Sequence, residues 1–141
     1  YMYWHFHCDD QGFDLLAGLF KMTAIKEMIH IETLAERILF LKGDVEMVAS
    51  QPVVKETDVQ KMLEMAAGME EQSARDYNRM ALECSQNADS QSKAIFESLV
   101  ADEETHYDQF DTELENLARF GKDYLALQSM ERAKSRGKPA G

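Results

Sequence analysis

Apolar residues recur along this chain every three or four positions, over stretches too long to be strands, and this period predicts helices. Leu16, Phe20, Thr23, Leu34, Ile38 and Leu41 share one face of a segment from about Phe13 to Lys42, with Gly43 expected as its C′ stop. At ~1.5 Å per residue such a segment is roughly 45 Å long, a length typical of helical bundles. An aromatic-rich segment, Tyr1 to about Cys8, precedes it and closes at Asp9-Asp10-Gln11-Gly12. Leu63, Ala66, Ser73, Tyr77, Ala81 and Cys84 mark a third helix, from about Val59 to Ser85, with Thr57 or Asp58 as N-cap. Phe96, Leu99, Phe110, Leu114 and Leu117 mark a fourth, from about Ser92 to Phe120, stopped by Gly121. A short fifth helix is predicted from Asp123 to about Ala133.

The connections set the topology. Short turns, the second a polar one from Gln86 to Gln91, make the first and second helices, and the third and fourth, antiparallel pairs. Gly43 to Glu56 has no helical period and is long enough to run the length of a bundle, so the second and third helices are expected to be parallel. An all-α, four-helix bundle with one long crossover is the ferritin-like topology, and the chain is expected to form one such domain over residues 1–133. Residues 134–141, in a Lys/Arg/Gly/Pro-rich end, are expected to be a mobile basic tail.

Composition narrows the partners. With 26 acidic residues against 15 basic ones, the net charge is −11, which argues against nucleic-acid phosphates or anionic membranes as partners and favours cations. No apolar run approaches the ~20 residues a membrane-spanning helix needs. Two cysteines, Cys8 and Cys84, form neither a disulfide framework nor a Cys-x-x-Cys metal site, which fits a reducing, cytoplasmic setting.

The chemistry lies where the stripes are interrupted. Glu27 and His30 fall within the apolar face of the second helix, Glu103 and His106 within that of the fourth, and Glu70 within that of the third. Residues three apart lie on one helix face about a turn from each other, so each Glu-x-x-His pair can reach a single ion. Charged groups in a core stripe are costly unless paired or metal-bound. Several carboxylates and two imidazoles in a bundle core fit two iron or manganese ions, although ligand type alone leaves zinc and calcium open. Glu71 falls on a polar face and is the weaker candidate, and Glu104, on another polar face, is expected to be a solvated neighbour.

These residues sit in two motifs, KEMIHIETLAERILFLKG and LVADEETHYDQFDTELENLARFG, through which the chain resembles the bacterioferritins. The spacings of 43 residues from Glu27 to Glu70 and 33 from Glu70 to Glu103 are similar to the family's as well. The resemblance implies two iron ions per subunit, bridged by Glu27 and Glu103, capped by His30 and His106, with Glu70 a terminal ligand and Tyr1 beside the centre. The implied activity is ferroxidase: Fe(II) is oxidised with O2 or H2O2, and Fe(III) mineral is stored in a hollow homo-oligomeric shell of 24 subunits, or 12. It further implies Met28 as axial ligand to haem b or a related iron porphyrin shared at a two-fold interface, and a ferredoxin-type electron donor for iron release. A di-iron oxygenase or peroxidase, and a Dps-like protective mini-ferritin, are the competing readings.

The chain departs from the family pattern in three places. The family's first-helix glutamate would precede Tyr1, so the first helix is expected to continue before this sequence begins. Met22 and Lys26 stand where the family has the His and Asp of an inner-surface iron site. Trp4, His5, His7 and Cys8 form an unusual cluster, read mainly as packing, with a second metal contact by His5, His7 and Cys8 as the sharper alternative.

Overall fold

The computed structural model describes residues 1–136, and side chains through Glu131. Among them run five helices: α1 (Met2–Asp10), α2 (Asp14–Phe40), α3 (Val59–Gln86), α4 (Ser90–Phe120) and α5 (Lys122–Arg136). The last extends three residues past the expected Ala133, so the tail expected from residue 134 begins as helix, and its remainder, 137–141, lies outside the described residues.

Contacts between helices fix their directions. Tyr1 stacks near Phe20 while His5 reaches the Ala17 carbonyl, so α1 and α2 are antiparallel. Arg37 meets Ser92 and Phe20 meets Phe110, while Tyr77 meets Phe96 and Glu70 faces His106, so α4 runs antiparallel to both α2 and α3. The α2 and α3 helices are therefore parallel, joined by the crossover of residues 41–58 as expected. Trp4 is buried and donates its indole N–H to the Val54 carbonyl at 3.1 Å, tying this strap to α1.

Helix ends follow local chemistry. Asp58 and Asp89 accept the N–H of Lys61 and Ser92, capping α3 and α4. The polar turn is tighter than expected, residues 87–89 only, because Ala88 takes a left-handed conformation (φ 57°) and Asp89 starts the next helix at once. At the end of α2 the left-handed residue is Lys42 (φ 64°), not Gly43. The Lys42 and Gly43 N–H groups bond to Leu39 and Ile38 carbonyls, a Schellman closure with lysine at C′ and glycine one place later. Gly43 is needed for space: a Cβ there would lie 2.8 Å from the Ile38 side chain and 3.2 Å from its carbonyl oxygen.

The α2 N-terminus has no capping side chain of its own, since Phe13 cannot accept a hydrogen bond. Gln128 of α5 supplies an acceptor from 112 residues away, receiving the Leu16 N–H at 3.4 Å while fully buried. Around it Leu16, Phe20, Met62, Leu63 and Phe110 form the apolar core. Each such side chain contributes about 1.5–3 kcal/mol.

Two members of the predicted α2 stripe, Ile38 and Leu41, are exposed. Beside the second half of α2 lies an apolar groove of 450 Å³ lined by Leu34, Ile38, Leu41, Tyr77 and Phe96.

Candidate metal centre

Three helices bring acidic and imidazole groups together at mid-length. Glu27 stands midway along α2, and Glu70, Glu103 and His106 lie well inside α3 and α4. Glu27, Glu70, Glu103 and His106 each present one ligand atom, all within 4.8 Å of one another. His30 joins them with Nδ1 3.0 Å from Glu103 Oε1.

Glu27 is the hinge of the arrangement. Its Oε2 lies 3.5 Å from His30 Nδ1 and its Oε1 3.3 Å from His106 Nδ1, so one carboxylate faces both imidazoles with different oxygens. Glu70 Oε2 approaches His106 Nδ1 at 3.5 Å. The donors thus divide into two overlapping groups, His30 with Glu27 and Glu103, and His106 with Glu27 and Glu70. The rings of His30 and His106 lie nearly parallel, 5.9 Å apart.

Electrostatics show the strain of this cluster without an ion. Burial, then the neighbouring Glu70 and Glu27, push the Glu103 carboxyl up to about 9. Burial opposes a charge on His106, but its contacts with Glu27 and Glu70 prevail and raise it to about 10. Burial opposes the Glu70 charge too, yet His106, Glu103 and Tyr1 hold that carboxyl below its usual range. Three carboxylates at one buried point cannot all ionise unless positive charge joins them. Of the buried side-chain polar atoms without a hydrogen-bond partner among the described residues, all but Nε2 of Gln128 belong to Glu27, His30, Glu70, Glu103 and His106. Leaving such groups unpaired costs about 1–3 kcal/mol each, and a divalent cation is the one addition that would satisfy them together.

Two tyrosines flank the cluster. Tyr1 donates its hydroxyl to Glu70 Oε1 and stacks on Phe110, and its own ionisation is driven far above the ordinary range by burial and by Glu70. On the other side Tyr77 is raised to about 12 by burial and by Glu103, Glu27 and Glu70. Asp102, which the sequence pattern passes over, accepts from or faces His30 Nε2 at 3.0 Å. It lies on the α4 face next to the core stripe, and its partner is 72 residues away, so no periodicity announces it.

The ferritin-like domain model matches residues 1–120. A bacterioferritin of Brucella melitensis is 32% identical over 123 residues, covering 86% of this chain and 76% of the relative. One of Rhodobacter capsulatus is 32% identical, covering 89% and 79%, and one of Desulfovibrio desulfuricans 29% identical, covering 89% and 70%. The chain belongs to the bacterioferritins.

Within this bacterioferritin fold the remaining sequence candidates are scattered. Met28 is exposed on the outer face of α2 beside Ile25, Ile29 and Ile31, pointing away from the carboxylate cluster. Met22 and Lys26 are exposed as well. His5, His7 and Cys8 do not converge: His5 Nδ1 is 2.8 Å from the Ala17 carbonyl, and Cys8 is fully buried with its thiol 3.9 Å from Met62 Sδ. The two cysteines are free. Glu71 pairs with Arg75 at the surface and Glu104 is exposed, as their positions on polar faces predict. Among the described residues no helix is long and apolar enough to cross a membrane.

Proposed function

We propose that this chain is a ferroxidase that oxidises Fe(II) at a di-iron centre and stores the Fe(III) product in a homo-oligomeric shell. The observation that carries this reading is the set of unpartnered donor atoms on Glu27, His30, Glu70, Glu103 and His106, in two groups sharing Glu27. Glu27 would bridge two ions, with His30 and His106 one on each. Glu103, facing His30 and raised by burial and then by Glu70, suits a second bridge, and Glu70 a terminal position steadied by Tyr1.

Two Fe(II) ions supply two electrons, which matches the reduction of H2O2 to water, and O2 serves as the alternative oxidant. Glu27, His30, Glu70, Glu103 and His106 would hold the ions, and their carboxylate oxygens would favour Fe(III) over Fe(II). The acidic balance of the chain suits cation entry and mineral nucleation. The relatives are named bacterioferritins, which supports shell assembly; 24 subunits, a cytoplasmic setting and a ferredoxin-type donor for iron release belong to the proposal through the family resemblance alone.

Met28 fits an axial haem ligand at the level one protomer allows: a thioether, exposed, on an apolar helix face that a second copy could cover. Anaerobic Fe(II) titration followed by addition of H2O2 or O2 tests the centre. Wild type should oxidise two Fe(II) per chain in a fast phase, and Glu27→Ala and His106→Ala should abolish it. Equal fast phases in all three proteins would remove the proposal. Native mass and a Soret band lost in Met28→Leu test the shell and the haem.

A further inference from the structure

Sulfur gathers along one seam of the bundle. Met62, Met65 and Met69 recur at helical spacing and so share one face of α3. That face looks onto α1: Cys8 Sγ lies 3.9 Å from Met62 Sδ, and Tyr1, at the other end of α1, reaches Glu70. The two helices are therefore antiparallel, and Met2 falls level with Met69. Along the seam opens a cavity of 830 Å³, which Met2, Met65 and Met69 line together with Gly68 and the crossover at residues 52–54. A Cβ on Gly68 would meet nothing within 4 Å, so the α3 wall is open between its two thioethers. Met62 is sealed in the core, whereas Met69 is 43% exposed, Met2 41% exposed and Met65 half-buried.

We propose that Met2, Met65 and Met69 form a binding site for a soft monovalent cation, Cu(I), separate from the carboxylate–imidazole centre. Thioether sulfur is a neutral, polarisable donor that selects Cu(I) over hard divalent ions. Among the described residues that line the cavity there is no histidine or cysteine, and one carboxylate, Asp76. A hard ion such as Fe(II) therefore finds better donors where Glu27, Glu70, Glu103 and His106 converge. Met69 and Glu70 are neighbours in sequence, so a single turn of α3 offers a soft donor to the seam and a hard one to the bundle interior. The long, unbranched methionine side chains can swing their sulfurs onto one ion without moving the backbone. The cavity is open to water, so the single charge of the ion is not carried into the core. The net charge of −11 draws cations toward it.

The test titrates the full chain with Ag(I), which shares the charge and closed shell of Cu(I), in a Cys84→Ser background that removes the half-buried free thiol. Cys8 is retained, being fully buried and with its thiol raised to about 11 by burial. Zn(II) is added first to occupy the carboxylate–imidazole centre. Binding is followed by NMR of isotope-labelled methionine methyl groups, and Cu(I) affinity by anaerobic competition with bicinchoninate. One Ag(I) per chain should shift the methyl signals of Met2, Met65 and Met69 together and leave those of Met47 and Met130 in place. Met→Leu at each of the three positions keeps volume and packing. Each should weaken Cu(I) by at least about tenfold, since even an outer-shell partner of a ligand is worth that much. The triple variant should lose the site with its melting temperature unchanged, and Met47→Leu should match the parent. A triple variant that holds Cu(I) as tightly as the parent overturns the proposal and leaves the three methionines a packing role. So does Ag(I) that moves the Met62 methyl alone, an equal loss in Met47→Leu, or a parent that binds neither ion. No iron enters the readout, so the ferroxidase reading and this inference stand or fall separately.

Discussion

Filling the centre with a divalent ion should expel protons, in a number that follows from its geometry. In the metal-free chain Glu103 titrates near 9, because it is buried beside Glu70 and Glu27, and His106 near 10, because Glu27 and Glu70 outweigh its burial. Both therefore hold a proton at pH 7. An ion takes the carboxylate and the neutral imidazole, so two protons leave as the centre fills. Each expelled proton makes apparent affinity rise about tenfold per pH unit, hence about a hundredfold per unit while the pH is below both values. The sign is fixed: affinity climbs from pH 6 to 8 and levels off once the pH passes about 9 to 10. Calorimetric titration with redox-inert Zn(II), in two buffers of different ionisation enthalpy, counts the protons. Glu103→Gln, which has no carboxyl proton to lose, should release one fewer. Release of less than one proton by wild type, or an affinity flat between pH 6 and 8, would refute the charge arrangement derived for the cluster.

Other expectations concern the frame around it. Lys42→Gly should stabilise the chain by about 1 kcal/mol in urea unfolding by relieving the left-handed lysine, whereas Gly43→Ala should destabilise it by about 1–3 kcal/mol through contact with Ile38. Trp4→Phe keeps most of the packing but frees the Val54 carbonyl, and should cost about 1 kcal/mol with faster proteolysis of the crossover. Gln128→Ala should cost about 1 kcal/mol and speed hydrogen exchange at Leu16, since the Leu16 N–H then loses its acceptor.

The bundle was legible because its signals are periodic and local. Stripes at helical spacing marked α2, α3 and α4, and Thr57 or Asp58 marked the start of α3, where Asp58 is the cap; the Asp89 cap of α4 lay inside the turn expected up to Gln91. The cluster was legible for a related reason: Glu27, His30, Glu70, Glu103 and His106 are the charged interruptions of those stripes, and a core position for a charge implies a partner. Asp102 was not, because its contact with His30 depends on the register between α2 and α4, which no single helix encodes. The left-handed Lys42 was hidden by the glycine beside it, since sequence assigns that conformation to the residue most able to adopt it. The exposure of Ile38 and Leu41 depends on which elements pack against that part of α2, a tertiary fact that an apolar stripe leaves open. Gln128 capping a helix over a hundred residues away is likewise invisible until the chain is folded.

The mid-length placement of Glu27 on α2, with its counterparts deep within α3 and α4, has a kinetic consequence. Helix termini open and close on their own, at little free-energy cost, while central turns exchange only when larger units come apart. Each carboxylate here is insulated from that fraying by several turns of hydrogen-bonded backbone on either side. The turns at residues 11–13 and 87–89 and the crossover can therefore change in length or composition without moving an oxygen of the cluster. The same insulation bars entry from the ends. An ion reaching Glu27 comes in from the side of the bundle, where this carboxylate is 30% exposed, so fraying or loop breathing is not needed to admit it.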